Sequence, residues 1–140
     1  MIPVILSIKG RQTYRDQEPD CIELVTEGTL EYTDGGWDLR YEESALTGLE
    51  GVTTVFRVER DRVVLDRTGK LRSQMVFREG VWHDSLYQME FGALMISVCA
   101  SRVMADICHD GGMIDLVYAI ELEQSAAGTI DYHLDIRPKN

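Results

Sequence analysis

The chain has 140 residues, of which 24 are acidic and 14 are basic, so its formal net charge is −10. This charge repels phosphate backbones and anionic lipid and argues against nucleic-acid and membrane partners, while the length suffices for one domain to bury a core without a disulfide or a metal. Three cysteines, an odd number in apolar surroundings, favour a reducing cytoplasm over a secreted scaffold.

Apolar and polar residues alternate with a period of two along most of the chain, which is typical of one-sided β-strands. Turn residues separate the alternating runs about every ten positions. One such turn, Asp34-Gly35-Gly36, contains residues that tolerate positive φ in a tight hairpin. In chain order the runs lie at residues 4–9, 22–32, 37–43, 52–58, 63–67, 71–77, 87–91, 94–98, 114–122 and 129–137.

One segment, residues 93–110, has an ambiguous pattern. Drawn as an amphipathic helix, it has a stripe formed by Ile96, Ala100, Val103 and Ile107. The β-branched side chains of Ile96 and Val98 and the alternation of their neighbours favour a strand in the first half. Residues 102–109 could belong to either a strand or a helix.

Roughly ten one-sided strands joined by short turns predict an all-β fold. We expect a single antiparallel meander β-barrel of about 8–10 strands as one domain over residues 1–140, because closure buries one face of every strand and removes exposed edges. A two-sheet sandwich is the alternative. A barrel of about eight strands is either just filled by its side chains or holds one small ligand.

Four sequence blocks follow the short string YEE in a fixed order: TGLEGVTTVFRV, LDRTGKLRSQMVF, YQMEFGALMISV and GGMIDLVYAIEL. In these blocks and their spacing the chain resembles the YwiB-like family of uncharacterised bacterial proteins, and the resemblance extends from Val4 to Ile136. It implies a cytoplasmic, calycin-like (lipocalin-like) β-barrel that carries a domain-of-unknown-function label. It implies no activity.

Two charged residues are predicted to face the barrel interior. Because residues two apart on a strand share a face, Glu43 lies in register with Leu39 and Tyr41, whereas Glu42 points outward. By the same count Arg67 faces inward. In an up-and-down meander Glu43 and Arg67 finish at one end of the barrel, about 10 Å apart between backbones, and their side chains can span that distance.

The same meander brings further residues towards this mouth of the barrel. Met89 and Phe91 end the next upward strand. If residues 103–107 form another upward strand, His109 reaches the mouth as well.

Glu43 and Arg67, flanked by Tyr41 and Tyr87, are the candidate ligand-binding residues. A few convergent polar groups above an apolar interior can orient a small molecule, and an anionic group on Arg67 with an apolar body inside would suit the site. The structural alternative is that both charges cap the core and are satisfied by each other or by water. The pair is a poor acid/base couple, because arginine stays protonated and holds the carboxylate ionised.

The sequence contains no recognisable catalytic or metal-binding motif. His83, His109 and His133 are isolated, and no cysteine pair has the spacing of a zinc site. There is no Gly-x-Ser-x-Gly motif and no phosphate-binding glycine loop. We therefore predict no catalytic residue, no metal and no cofactor.

Two hypotheses for the function remain. The first is a non-enzymatic cytoplasmic barrel that binds a small apolar or anionic molecule at one mouth, and small inward residues indicate room for it: Thr26, Gly28, Thr54 and Ser73. The second is a protein-interaction or self-assembly module with a solidly packed barrel, for which a homodimer is one form. An enzyme ranks third.

Overall fold

Ten β-strands make up most of the chain. The computed structural model of the protein describes residues 1–14, 18–123 and 125–139, without the side chains of residues 126 and 127. The strands are β1 (Ile2–Thr13), β2 (Asp20–Thr33), β3 (Gly36–Glu42), β4 (Val52–Val58), β5 (Val63–Gly69), β6 (Ser73–Phe77), β7 (Trp82–Met89), β8 (Gly92–Cys108), β9 (Gly111–Leu122) and β10 (Ser125–Pro138). In the described ranges, a 3₁₀ turn at Ala45–Thr47 is the one helical element, and no helix there has the length and hydropathy to cross a membrane.

All ten strands form one antiparallel sheet in the order β6-β5-β4-β3-β2-β1-β10-β9-β8-β7. Each strand pairs with its neighbours in the chain except at the β6–β7 junction, and β1 also pairs with β10. Two isolated bridges, Arg72 with Gln88 and Arg78 with Val81, join β6 to β7 across the remaining gap. The predicted all-β antiparallel meander barrel is therefore confirmed, and the two-sheet alternative is wrong.

The β2–β3 hairpin illustrates how local sequence sets the register. Asp34 and Gly35 have φ values of 52° and 79°, and two successive positive values are characteristic of the type I′ turn that matches the twist of the flanking strands. This turn places Leu30 opposite Leu39. Both side chains are fully buried in the core.

Apolar side chains from every part of the sheet fill most of the barrel. The largest fully buried ones are Leu6, Leu30, Leu39, Phe56, Phe77, Ile114, Leu116 and Leu134. They face inward because alternate residues of each strand share a face. The interior is not filled at the end where β3 and β5 finish.

The segment with the ambiguous pattern forms a single strand, β8, of 17 residues. Its register with β9 shifts between Ala100 and Arg102, so Ser101 is an extra residue in a β-bulge. Ala100 faces the core before the bulge and Val103 packs against the core after it. The bulge thus keeps both halves of β8 facing the same interior.

Candidate functional site

A cavity of about 290 Å³ opens at the end of the barrel where β3 and β5 finish. Its wall is mainly aliphatic and is supplied by strands from both halves of the chain: Ile8, Leu24, Met75, Ile96, Ile120 and Ile130. Five tyrosines also line it: Tyr14, Tyr41, Tyr87, Tyr118 and Tyr132. Glu43 and Arg67 are the charged residues of the lining. All four predicted site residues therefore lie on one cavity, and their role in ligand binding stays a prediction.

The alternation of inward and outward side chains at the end of β3 directs Glu43 towards this cavity. Tyr41 and Glu43 are buried, whereas Arg40 and Glu42 are exposed, as the alternation of a strand requires. Glu42 accepts a hydrogen bond from the Thr53 hydroxyl at 2.8 Å on the outer surface. The two adjacent glutamates therefore belong to different environments.

Both carboxylate oxygens of Glu43 accept hydrogen bonds from threonine hydroxyls. Thr47 Oγ1 donates to Oε1 at 3.1 Å and Thr54 Oγ1 donates to Oε2 at 2.5 Å. The backbone N–H of Glu43 donates to the carbonyl of Val52 at 2.9 Å. Thr47 belongs to the 3₁₀ turn, so these bonds connect the β3–β4 segment to the wall of the cavity.

Arg67 lies opposite Thr54 in the register of β4 and β5. Its Nε is 3.9 Å from Oε2 of Glu43, a distance at which charges attract but no hydrogen bond forms. The prediction that Glu43 and Arg67 lie together at one end of the barrel is confirmed. The buried Nε–H of Arg67 has no acceptor within hydrogen-bond distance in the described residues.

Three of the tyrosines cluster around Arg67: Tyr41 and Tyr118 are buried and Tyr132 is partly buried. The hydroxyl oxygens of Tyr41 and Tyr132 are 3.3 Å apart. Burial raises the pKa of Tyr41 to about 12, and the Glu43 carboxylate adds to the shift. Burial also raises the pKa of Tyr118 and of Tyr132, while the charge of Arg67 opposes the rise in all three pKa values. At neutral pH the three hydroxyls are protonated and can donate hydrogen bonds.

Tyr118 and Tyr132 are site residues that the sequence analysis missed. Counting by twos along their strands puts them on the face of Leu116 and Leu134, both of which are buried. This signal was present in the sequence. What it lacked was any indication that these two side chains lie at the unfilled end of the barrel.

Met89 and Phe91, two of the three further residues predicted at this mouth, do not line the cavity. Met89 and Phe91 flank the β7–β8 turn and are 42% and 95% exposed. The turn carries both side chains into solvent. Both residues do lie at the predicted end of the barrel, where Tyr87 of β7 lines the cavity, but neither of them is part of its wall.

His109 lies at the opposite end of the barrel. Residues 92–108 form one continuous strand, so residues 103–107 do not make a separate upward strand. The His109 ring packs edge-on against Trp37, with 5.0 Å between ring centroids, at the end where β3 begins. The prediction that His109 reaches the mouth is wrong. It required a turn before residue 103, but the chain has a β-bulge at Ser101 and continues in the same direction to Cys108.

The small inward residues contribute little of the space. A Cβ at Gly28 would lie 2.5 Å from the carbonyl oxygen of Arg40 and 3.2 Å from Cβ of Tyr41, so Gly28 permits close approach of β2 and β3. Thr54 and Ser73 are buried, and neither lines the cavity. The cavity is lined instead mainly by aliphatic and tyrosine side chains.

The side chains around the cavity combine three kinds of group. They are one cation, several protonated hydroxyls and an aliphatic wall, and the carboxylate of Glu43 is already engaged by two hydroxyls and an arginine. In residues 1–14, 18–123 and 125–139, no group of three or more His, Cys, Asp or Glu side chains is placed to hold a metal ion.

Comparison with known proteins agrees with this architecture. The crystal structure of the ywiB protein from Bacillus subtilis is similar to the chain with a TM-score of 0.89 and 21% sequence identity, and the match covers 99% of this chain and 93% of that chain. At this level of sequence identity, the structural match shows a shared fold alone. No curated protein matches the chain. The family model described as "Domain of unknown function (DUF1934)" matches residues 6–136. The resemblance to YwiB-like proteins is thereby confirmed, and the chain belongs to the DUF1934 family.

Proposed function

We propose that the protein is a non-enzymatic barrel that binds one small, partly apolar ligand in the cavity lined by Tyr41, Glu43, Arg67 and Tyr87. The observation that carries the proposal is the cavity of about 290 Å³, which is close to the lower limit of the roughly 300–1,000 Å³ typical of small-molecule sites. A calycin-like mode of binding and a cytoplasmic location belong to the same proposal.

The contrast between this cavity and the rest of the interior supports a binding role. Protein interiors are close-packed and contain few voids larger than a water molecule. The core below the cavity follows that rule, since Leu39 and Phe56 are fully buried. An aliphatic wall with a few polar groups at one place is the usual composition of a small-molecule site.

Replacing Leu24 by Trp tests the proposal. Leu24 lines the cavity, so the larger side chain should occupy the space of the ligand. Native mass spectrometry of the protein purified from cells should show a co-purifying small molecule on the wild type and much less of it, by about tenfold or more, on Leu24→Trp, because a filled pocket excludes its ligand.

The matched control is Val25→Trp on the same strand. Val25 is 65% exposed on the outer face, so this variant should retain the small molecule, and circular dichroism should show both variants folded. A wild-type chain that is always empty, or a Leu24→Trp chain as fully loaded as the wild type, would count against the pocket.

Self-assembly is a second candidate function, favoured by an apolar outer surface on β7 and β8. Leu86 pairs directly with Met95, and the exposed fractions of Trp82, Leu86 and Met95 are 51%, 48% and 37%. If two copies bury this surface in a homodimer, sedimentation velocity should show a dimer that Leu86→Lys converts to a monomer. A wild-type chain that stays monomeric at all concentrations excludes this candidate.

A further inference from the structure

We infer that the polar end of the ligand is a carboxylate, so that the cavity takes a small monocarboxylic acid whose apolar body lies against the aliphatic wall and whose carboxylate binds Arg67. The inference rests on the proposed function and names the class of molecule that the site selects. Three features of the site lead to it: its free hydrogen-bond donors, its occupied acceptors and its charge balance.

Free donors outnumber free acceptors at the polar side of the cavity. A guanidinium has five N–H groups, and the contact of Arg67 with Glu43 at 3.9 Å is too long to be a hydrogen bond. The contact between the Tyr41 and Tyr132 hydroxyls uses one of their two O–H groups. Tyr118, also on the cavity, adds a further protonated hydroxyl. A ligand that satisfies these donors must bring acceptor oxygens.

The strong acceptor of the site is already occupied. Each oxygen of the Glu43 carboxylate accepts a threonine hydroxyl, from Thr47 and from Thr54, and the side chain of Glu43 is only 2% exposed. An ammonium group on the ligand would therefore have to share a buried carboxylate that already accepts two hydrogen bonds, and it would face the positive charge of Arg67. This arrangement disfavours amines and cationic ligands.

The charge balance of the site favours a carboxylate over a phosphate as the polar group of the ligand. Glu43 and Arg67 neutralise each other before any ligand binds, and unpaired charge in a buried site is costly. A monoanion adds one uncompensated negative charge, whereas a phosphate dianion adds two against the same single arginine. A planar carboxylate also matches the two-pronged donor geometry of a guanidinium.

Three probes of equal chain length distinguish these classes: octanoate, octanol and octyl phosphate. Isothermal titration calorimetry on protein cleared of co-purifying molecules should give octanoate an affinity about tenfold to a hundredfold above that of octanol, as expected for hydrogen bonds to a charged partner. Octyl phosphate should bind more weakly than octanoate.

The double variant Glu43→Gln with Arg67→Met removes both charges and leaves no unpaired ion in the core. It should bind octanol like the wild type and lose the preference for octanoate. Arg40→Met, at an exposed arginine on the outer face of β3, is the control and should keep the preference. Fluorescence of the two tryptophans should confirm that both variants are folded.

The outcomes separate this inference from the proposed function. Equal binding of octanoate and octanol, tightest binding of octyl phosphate, or an unchanged preference in the double variant each overturns the carboxylate inference and leaves an apolar pocket in place. Failure of all three probes to bind overturns the inference and the proposed pocket together.

Discussion

Glu42 and Glu43 are adjacent carboxylates with opposite surroundings. Glu42 is exposed on the outer face, and Glu43 is buried beside Arg67. The alternation of a strand is enough to predict which of the two points inward. It cannot predict Thr47 as a partner of Glu43, because Thr47 lies in a turn whose position depends on how β3 and β4 are joined.

The raised pKa of Tyr41 predicts that stability declines at high pH. Burial raises this pKa from its ordinary value of 10.0 to about 12, so folding favours the protonated hydroxyl. The stabilisation is fully present below about pH 10, the value in the unfolded chain, and is lost as the pH rises through about 12. A shift of this size corresponds to about 2–3 kcal/mol. We expect Tyr41→Phe to reduce the decline by up to that amount in urea unfolding curves measured across this range.

Tyr32→Phe is the control for this measurement. Tyr32 is 56% exposed, so its loss should leave the pH dependence as in the wild type. Tyr118 and Tyr132 keep raised pKa values in both variants and carry the remainder of the decline. A Tyr41→Phe profile that coincides with that of the wild type would show that this hydroxyl is not held in its protonated form.

At the scale of single elements, the bulge in β8 explains why part of the sequence looked helical. The inward residues Ile96, Val98 and Ala100 are spaced by two, the next inward residue is Val103, and Ile107 follows. One extra residue in a period of two produces intervals of four, three and four between the positions of the apparent stripe, which imitates a helical repeat. Periodicity alone could not separate a bulged strand from a helix here.

Deletion of Ser101 tests the role of the bulge. Without Ser101, Arg102 follows Ala100 directly, so Val103 still faces the core and the apolar phase is kept. We expect this variant to fold with a loss of about 1–3 kcal/mol in the free energy of unfolding, the usual scale for a local backbone change, measured by urea titration.

Deletion of Met104 is the matched control. Met104 is 47% exposed and outside the bulge. Removing it either turns Ile107 outward or brings Arg102 inward, because a shift of one residue moves side chains to the other face. This variant should be much less stable than the Ser101 deletion. Equal stability of the two would mean that the bulge does not set the phase of β8.

At the scale of the whole molecule, the barrel closes through β1 and β10 and is incomplete between β6 and β7. Three inward polar atoms next to this gap, on Ser73, His83 and Ser85, are buried without a hydrogen-bond partner in the described residues. Unsatisfied buried polar atoms and missing ladder bonds both lower local stability. We infer that the β6–β7 gap is where the barrel opens first.

Hydrogen exchange should show this opening directly. Amides of β6 and β7 should exchange faster than those of β1 and β10, which pair on both sides. A disulfide between Arg72→Cys and Gln88→Cys, introduced with the native cysteines replaced by serine, should slow that exchange. The backbones of this pair exchange two hydrogen bonds of 2.8 Å, a geometry compatible with a disulfide, and the bridge should add about 2–3 kcal/mol to the free energy of unfolding.

A disulfide between Arg40→Cys and Val55→Cys is the control, because these residues are partners in the continuous β3–β4 ladder and close a loop of similar length. It should stabilise the barrel by a similar amount and leave the exchange of β6 and β7 fast. Uniform exchange across all strands of the wild type would exclude the gap as the first place to open.

The sequence by itself determined the all-β meander and the strand phase outside the bulged strand β8, because alternation and turn chemistry are properties of neighbouring residues. It therefore predicted that Glu43 and Arg67 point inward at one end of the barrel. Only the tertiary structure decided that a cavity lies there and that Tyr118 and Tyr132 complete its wall. The hydroxyls of Tyr41 and Tyr132 are in contact although the two residues are 91 positions apart in the sequence. The space beside them depends on how side chains from distant strands pack inside a closed barrel, and a local sequence pattern contains no information about that packing.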